Sequence, residues 1–485
     1  MHLHMLVVLV LCSCTCGENP AIQMILNNKG LQYAKNTVTD WTQKILGNIT
    51  LPDISGKVHI GFLGSIDYTL TGTSVRKCDL PQPSVEFSPG TTGVNASMLG
   101  LSVALTGEWK THYGCIHDGG SFDMALFNVD VVSAVELGEN ADGHLSVTTV
   151  SCDAQVGYVD IRFRGGASWM FRPFVSQFRQ HIRRKIESSI CSHVEELTAD
   201  LDYHLQTMNV SFDVGQALTM NLSLTGSPVI DVSSLNLGLK GEFFNIKTHS
   251  EPPFDAQPFT VPEQHGYMFS VGLSEFTLNS ASYGLYSAGV FQAFITDSMI
   301  PPDFPLHLNT SSMGPYIPQL PKMFPGLPMN LQVYATEVPM FSFQSGVVRL
   351  GFLGAVKAFA IQSNGTQTPL FKLSVISNLS SRAWVDSGRV KSSISLDNFT
   401  LTLMESEVGA FKITALEKCT RRGIEMGLAK LNEYLGKGVL LPRMKQAQLV
   451  NSVLKVEQGF IAIFSDAEVS TNRRFKQQAN TLVYL

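Results

Sequence analysis

The sequence predicts an α+β chain: two similar blocks, each a twisted antiparallel sheet with long helices, joined by a Pro-rich linker. Three observations carry this. Short apolar–polar alternations fill two long stretches, as half-buried strands require. Amphipathic helical stretches flank them. The order then partly repeats beyond a proline cluster. The composition agrees. Of 485 residues, 44% are hydrophobic and only 15% charged, which excludes a disordered chain. A net charge of −5 gives no global basic excess, so nucleic acid is not an expected partner.

Residues 1–17 read as a signal peptide, with the apolar run Leu6–Leu11 and the small residues Thr15-Cys16-Gly17 before Glu18. That run is too short to span a bilayer. The mature chain is therefore expected to be secreted and extracellular. Cys12, Cys14 and Cys16 fall in this leader; Cys78, Cys115, Cys152, Cys191 and Cys419 remain, an odd number expected to form one or two bridges. Eight N-x-S/T sequons, at Asn48, Asn95, Asn209, Asn221, Asn309, Asn364, Asn378 and Asn398, predict a glycoprotein.

A first block should cover 18–245. Leu31, Ala34, Val38, Trp41 and Ile45 recur at helical spacing over about 27–46. Strands follow over about 57–165. A long helix over about 168–205 presents Phe174, Phe178, Ile182, Ile186 and Ile190 on one face. The linker takes 246–265, around Pro252-Pro253 and Pro262. The second block, 266–472, should hold a short helix at Glu275–Ser287, a Pro-interrupted one near Ile317–Phe324, strands over about 329–403 and a helix over about 408–435; residues 473–485 form a tail. Residue-level repetition is thin: Gly61-Phe62-Leu63-Gly64 recurs as Gly351-Phe352-Leu353-Gly354.

No nucleophile elbow, H-E-x-x-H, Walker loop or G-x-G-x-x-G is present, so a non-enzymatic protein without a cofactor is expected. His112, Cys115, His117 and Asp118 are zinc-ligand types. The preferred reading is solvated hairpin residues, and no metal is expected. Arg162, Arg164, Arg172, Arg179, Arg183, Arg184 and Lys185 form a basic run interleaved with Trp169, Phe171, Phe174 and Phe178. Half of that pattern's weight belongs to a plain polar helix face. The other half belongs to a surface for phospholipid headgroups, because guanidinium forks onto phosphate.

Several segments together resemble the bactericidal permeability-increasing protein and lipopolysaccharide-binding protein family, in what looks like a fish-type member. They are Gly30–Ala34, Leu51–Gly56, Ser168-Trp169 to Lys185–Glu187, Leu239–Phe243, Pro252–Phe254, Gly272–Phe276, Asp297–Pro301 and Leu440–Arg443. The matches run in order over nearly the whole mature chain. The resemblance implies an elongated boomerang of two barrel domains joined by a central sheet, with a phospholipid in an apolar pocket of each. It implies lipid contacts from Leu31, Ala34, Val38, Trp41, Ile45, Phe174, Phe178, Ile182 and Ile186, and a Cys152–Cys191 disulfide. A Cys78–Cys115 bridge has no support in the family pattern.

One departure bears on function. The family's bactericidal members carry Lys clusters on hairpins of the first domain. Here Glu18–Ile246 holds 15 basic and 23 acidic residues, a net of −8, and the remainder 20 and 17, a net of +3. Phosphate contacts would then fall to Lys57, Lys110, Arg179, Arg183, Arg184 and Lys185, or to His that charge only in acid. Phe62, Trp109 and Tyr113 are expected to be exposed and able to enter acyl chains. The resemblance favours an antibacterial innate-immunity protein whose partners are lipopolysaccharide, phospholipid, the bacterial outer membrane surface and a host lipopolysaccharide receptor. The alternative is a plasma phospholipid or neutral-lipid transfer protein.

Overall fold

The computed structural model describes residues 18–46, 50–51, 53–60, 64–89, 93–166, 168–171, 175–300, 304, 306–441 and 447–469. The expected signal peptide, the 473–485 tail, Asn48, Phe62, Arg172 and Phe174 lie outside them, as do the side chains of Trp41, Ile45 and Phe171. The longer elements of the first half are β1 (Ile22–Asn27), α1 (Asn28–Leu46), β2 (Ile54–Ile60), β3 (Gly64–Asp79), β4 (Gly93–Tyr113), β5 (Ile116–Glu139), β6 (Leu145–Arg164) and α2 (Val175–Gln206). β7 (Ser234–Leu239) closes the first half, and the second holds β8 (Phe269–Ser274), α3 (Glu275–Ser287), β9 (Met329–Ala335), β10 (Val347–Ile361), β11 (Gln367–Asp386), β12 (Arg389–Ser406), α4 (Ile413–Lys437), β13 (Ala447–Glu457) and β14 (Phe460–Val469).

Two curled antiparallel sheets flank a central one, giving two similar domains in an α+β fold. The first runs Thr50–Leu51, β3, β4, β5, β6, with β2 also on β3. The second runs Gln292–Thr296, β9, β10, β11, β12, Val439–Leu440. The central sheet, in the order Val229–Ile230, β7, β1, β8, β14, β13, takes strands from both chain halves. The linker is strapped to one face of it rather than spanning solvent. Gln23 Nε2 donates to Phe259 O at 2.7 Å, and Phe259 and Val261 pack on Phe460 and Phe464. Helix α1 lies over the opposite face.

Each curled sheet ends in a strand edge whose N–H groups need partners. In both domains a long helix supplies them from its side chains. Glu187 Oε1 on α2 accepts the Val156 N–H of β6 at 2.9 Å, and Asp202 Oδ1 accepts that of Val147 at 2.8 Å. On α4, Glu417 Oε2 accepts the Leu401 N–H of β12 at 2.8 Å, and Asn432 both accepts from and donates to the Ile394 backbone at 2.7 and 2.8 Å. Both helices space their two capping residues fifteen apart. Between the caps, Cys191 of α2 bonds to Cys152 of β6 with an S–S length of 2.09 Å. At the matching place on α4, Arg421 Nη2 donates to Asp397 O at 3.2 Å. The duplication is thus real in three dimensions. Of the two glycine tetrapeptides, Gly351–Gly354 lies inside β10, and Gly61–Leu63 lies outside the described residues.

The expected 168–205 helix is present over Ser168–Phe171 and Val175–Gln206, and residues 172–174 lie outside the described ones. Helix α4 begins at Ile413 rather than 408, because Gly409 sits at φ 83°, outside helical space, and Lys412 is still extended. The cap at Glu417 is testable. Glu417→Leu strands the Leu401 N–H and should cost about 1–3 kcal/mol. Thermal unfolding should fall by about 2–4 °C per kcal/mol. Glu425→Ala, which removes only an exposed ion pair to Arg421, should stay within about 0.5 kcal/mol of the parent.

Two apolar cavities as the candidate functional site

Two cavities form where helices meet sheets. The first, about 510 Å³, lies between α1 and the central sheet. Gly30 sets its shape. A Cβ there would stand 2.6 Å from Met268 O and 2.7 Å from Leu26 Cδ1, so only glycine lets the helix touch the sheet at this point. Beyond that contact Ala34 and Val38 line the cavity from above, and Met24, Leu237, Phe269 and Val271 from below. Val38 is 60% exposed, so the cavity is open on that side. The second, about 390 Å³, lies between α4 and the inner face of its sheet. Leu416, Thr420, Ile424 and Leu428 line it at four-residue steps, facing Val375 and Phe399 among others. Polar side chains on the walls are few: Tyr33, Thr37 and Ser270 in the first, Ser377 and Thr420 in the second. Among the described residues neither wall carries a charged side chain. Such spaces suit hydrocarbon, each buried methylene contributing about 0.8 kcal/mol.

The expected lipid contacts divide. Ala34 and Val38 line the first cavity, whereas Leu31 packs on Phe87, Ile230 and Leu235. Phe178 and Ile182 line neither. They are 1% and 0% exposed inside the first domain's core, where Phe178 meets the rings of Tyr68 and Phe163 edge-on at 5.7 and 5.8 Å. Ile186 packs against the same core. The correction has a physical cause: large side chains fill the space that an empty sheet would leave. Trp109 is likewise not an exposed anchor. It is 1% exposed, and its Nε1 donates to Arg164 O at 3.1 Å. Tyr113 and Trp169 are exposed. The α4 stripe was not among the expected contacts, although its four-residue step stands in the sequence.

The basic run is mostly paired, contrary to its unpaired look in sequence. Arg179 bonds Asp160 at 2.8 Å and lies over the Tyr158 ring. Arg183 bonds Glu187 at 2.9 Å, Arg162 meets Asp160 at 3.4 Å and Arg164 meets Asp123 at 2.6 Å. The partners of Arg179 and Arg164 come from other elements, remote in sequence, and those of Arg162 and Arg183 from their own strand and helix. Lys57 pairs with Asp67 at 3.2 Å, while Lys110, Arg184 and Lys185 are exposed. Among the described residues no group of three His, Cys, Asp or Glu is placed to hold a metal. Cys78, Cys115 and Cys419 are free thiols. Sequon residues Asn95, Asn209, Asn364, Asn378 and Asn398 are exposed; Asn221 and Asn309 are half-buried and accept backbone N–H groups of Ser223 and Ser312.

Among the buried polar atoms of the first domain that have no hydrogen-bond partner are the Tyr68 hydroxyl and His181 Nε2. Burial pushes the Tyr68 pKa up to about 12. Burial first, then Lys185 and Arg184, hold His181 below the usual imidazole range. Unfolding therefore takes up a proton at His181. Its contribution should be intact above about pH 6.5 and lost as pH falls below that. Chemical denaturation across pH should show this slope in the parent and a flatter one in His181→Phe. A second outcome follows from the core. Phe178→Ala should cost about 3–5 kcal/mol in denaturant unfolding.

Comparisons with known proteins agree with this architecture. The family model described as "LBP / BPI / CETP family, N-terminal domain" matches residues 30–208, and its C-terminal counterpart matches 213–469. A bactericidal permeability-increasing protein of Sebastes schlegelii is 34% identical over 456 residues, covering 94% of this chain and 96% of that one. The human lipopolysaccharide-binding protein is 27% identical over 454 residues, covering 93% and 94%. A crystal structure of a lipopolysaccharide binding protein superposes with a TM-score of 0.56 at 25% identity, covering 93% of this chain and 99% of that one.

Proposed function

The chain belongs to the LBP / BPI / CETP family, and from that premise we propose that it is a secreted, glycosylated innate-immunity protein that captures bacterial lipopolysaccharide. It acts by binding rather than by catalysis. The carrying observation is the pair of uncharged cavities. Acyl chains enter them from water, while exposed cations such as Lys110, Arg184 and Lys185 engage lipid A phosphates. Phospholipid occupies the cavities otherwise. The outer membrane surface is the source of the ligand, and a host lipopolysaccharide receptor is its recipient. Among the described residues no helix is long and apolar enough to cross a membrane.

A second reading, a plasma phospholipid or neutral-lipid transfer protein, is favoured by one observation. The first half carries a net charge of −8, and its Arg side chains are largely neutralised by Asp and Glu. Binding of the full mature chain to lipopolysaccharide and transfer of phosphatidylcholine between vesicles separate the two. The lipopolysaccharide reading expects saturable capture that weakens with salt through screening. It also expects loss of about tenfold or more in Ala34→Trp or Leu428→Trp, which fill a cavity each; tenfold corresponds to about 1.4 kcal/mol. Phosphatidylcholine transfer without lipopolysaccharide capture would establish the second reading. Capture unchanged in both variants would remove the cavities from the mechanism.

A further inference from the structure

Two N-x-S/T sequons twenty positions apart in sequence meet in the second sheet. Asn378 on β11 and Asn398 on β12 are direct cross-strand partners, and both are exposed. Such partners share a face, with Cβ atoms about 4.5–5.5 Å apart. The face is the outer one, because the adjoining residues Ser377 and Phe399 line the second cavity on the inner side. The row runs on through Gly351 of β10, which opposes Asn378, to Met340 of the strand Met340–Gln344. The adjacent outer row holds Leu353, Ile376 and Thr400. Met340, Leu353 and Ile376 are exposed. We propose that Asn378 and Asn398 carry a side-by-side pair of N-linked glycans, and that the pair covers this apolar strip.

The step is a group transfer. The Asn side-chain nitrogen bonds to the anomeric carbon of a lipid-linked oligosaccharide diphosphate, and the bond from that carbon to the phosphate oxygen breaks. The amide proton passes to the transferase's base, and the lipid diphosphate leaves. This modification needs entry into the secretory pathway and so rests on the secreted reading proposed above. Both sequons are complete, through Ser380 and Thr400. On an extended nascent chain they lie about 65 Å apart, at about 3.3 Å per residue, so the first sugar does not block the second. In the folded sheet they stand on the convex side, where side chains splay apart. Gly351 leaves the place next to Asn378 bare. A Cβ there would meet nothing closer than Asn378 Oδ1 at 3.8 Å, so packing does not demand glycine. Neither row carries a charged residue, so phospholipid headgroups and charged peptides find no counter-ion on it. Sugars suit it better: pyranose rings turn C–H groups to apolar side chains and hydroxyls to water, which is how a glycan solubilises a surface. Asn95, Asn221 and Asn309 are placed differently. Asn95 opposes Glu86 and Ala134, and the other two accept backbone N–H groups through Oδ1.

The test is glycopeptide mapping and intact mass of the full chain secreted by a eukaryotic host, with sedimentation velocity of parent and variants. The expected result is sugar on both Asn378 and Asn398. Asn378→Gln and Asn398→Gln should each lose one glycan mass, and the double variant two. The double variant should sediment as larger species than the parent, and adding Leu353→Thr and Ile376→Thr should reverse that shift. Both Asn are exposed, so its circular dichroism should match the parent's. Ser380→Ala/Thr400→Ala removes the same sugars with both Asn kept, and it should sediment as the double Asn variant does. Asn378 or Asn398 unmodified in chains that are glycosylated at Asn95 would overturn the pair. Sedimentation of the sugar-free variants identical to the parent's would overturn the covering. Chains without sugar at any sequon would overturn the pair and the secreted reading together. Lipid capture enters none of these readouts, so its failure is separate.

Discussion

An antiparallel sheet that curls without closing leaves unpaired N–H and C=O groups along its edge strands, and the rest of this architecture depends on how one such edge is satisfied in each domain. Both domains lay a long helix along it and insert carboxylate or amide side chains into the strand's hydrogen-bonding positions: Glu187 and Asp202 on one side, Glu417 and Asn432 on the other. Fixing the helix by its polar side chains fixes its rotation, which in turn points its apolar stripe at the inner face of the sheet. The disulfide of the first domain and the Arg421–Asp397 contact of the second hold the same place between the caps. One covalent and one polar bond therefore serve one geometric purpose.

With the frame common to both domains, side-chain volume decides what each contains. Under α2 the interior is filled by Phe178, Ile182, Trp109 and Phe122, all at most 1% exposed. Under α4 the stripe is Leu416, Thr420, Ile424 and Leu428, and a cavity remains. The first half builds its cavity elsewhere, under α1, where Gly30 lets helix and sheet touch and the residues beyond it stay apart. Two different constructions thus arrive at uncharged spaces of similar size. Surface charge is handled as locally as the edges: cations that look free in the chain, such as Arg179 and Arg183, are bound by acids presented by β6 and by α2 itself.

The periodicities in the sequence located α1, α3 and most strands, since those signals are local. The plan of two similar blocks also stood in the pattern, whereas the Cys152–Cys191 pair and the central sheet joining the blocks came from the family resemblance. What could not be read was orientation. Whether Trp109 faces water or core depends on the register of β4 against β3 and β5. Whether Phe178 lines a cavity or fills one depends on how tightly β2, β3 and β6 close beneath it. The pairing of Arg179 needed knowledge of which strand would lie beside α2. The α4 stripe was readable at its four-residue step but indistinguishable from ordinary core packing, because a helix face looks the same over a filled interior and a hollow one. Fold was therefore more legible than site, and the wall residues on β1, β7 and β8 least of all, since they come from strands distant in the chain.

The central claim is that each cavity is a lipid chamber rather than a packing defect. Native mass spectrometry of the mature protein, purified from a eukaryotic secretory host without added lipid, tests it most directly. The account predicts a predominant species carrying two phospholipid molecules per chain, released on unfolding and identified by fragmentation. A chain mass free of bound lipid, from material whose fold is intact by circular dichroism, would contradict it.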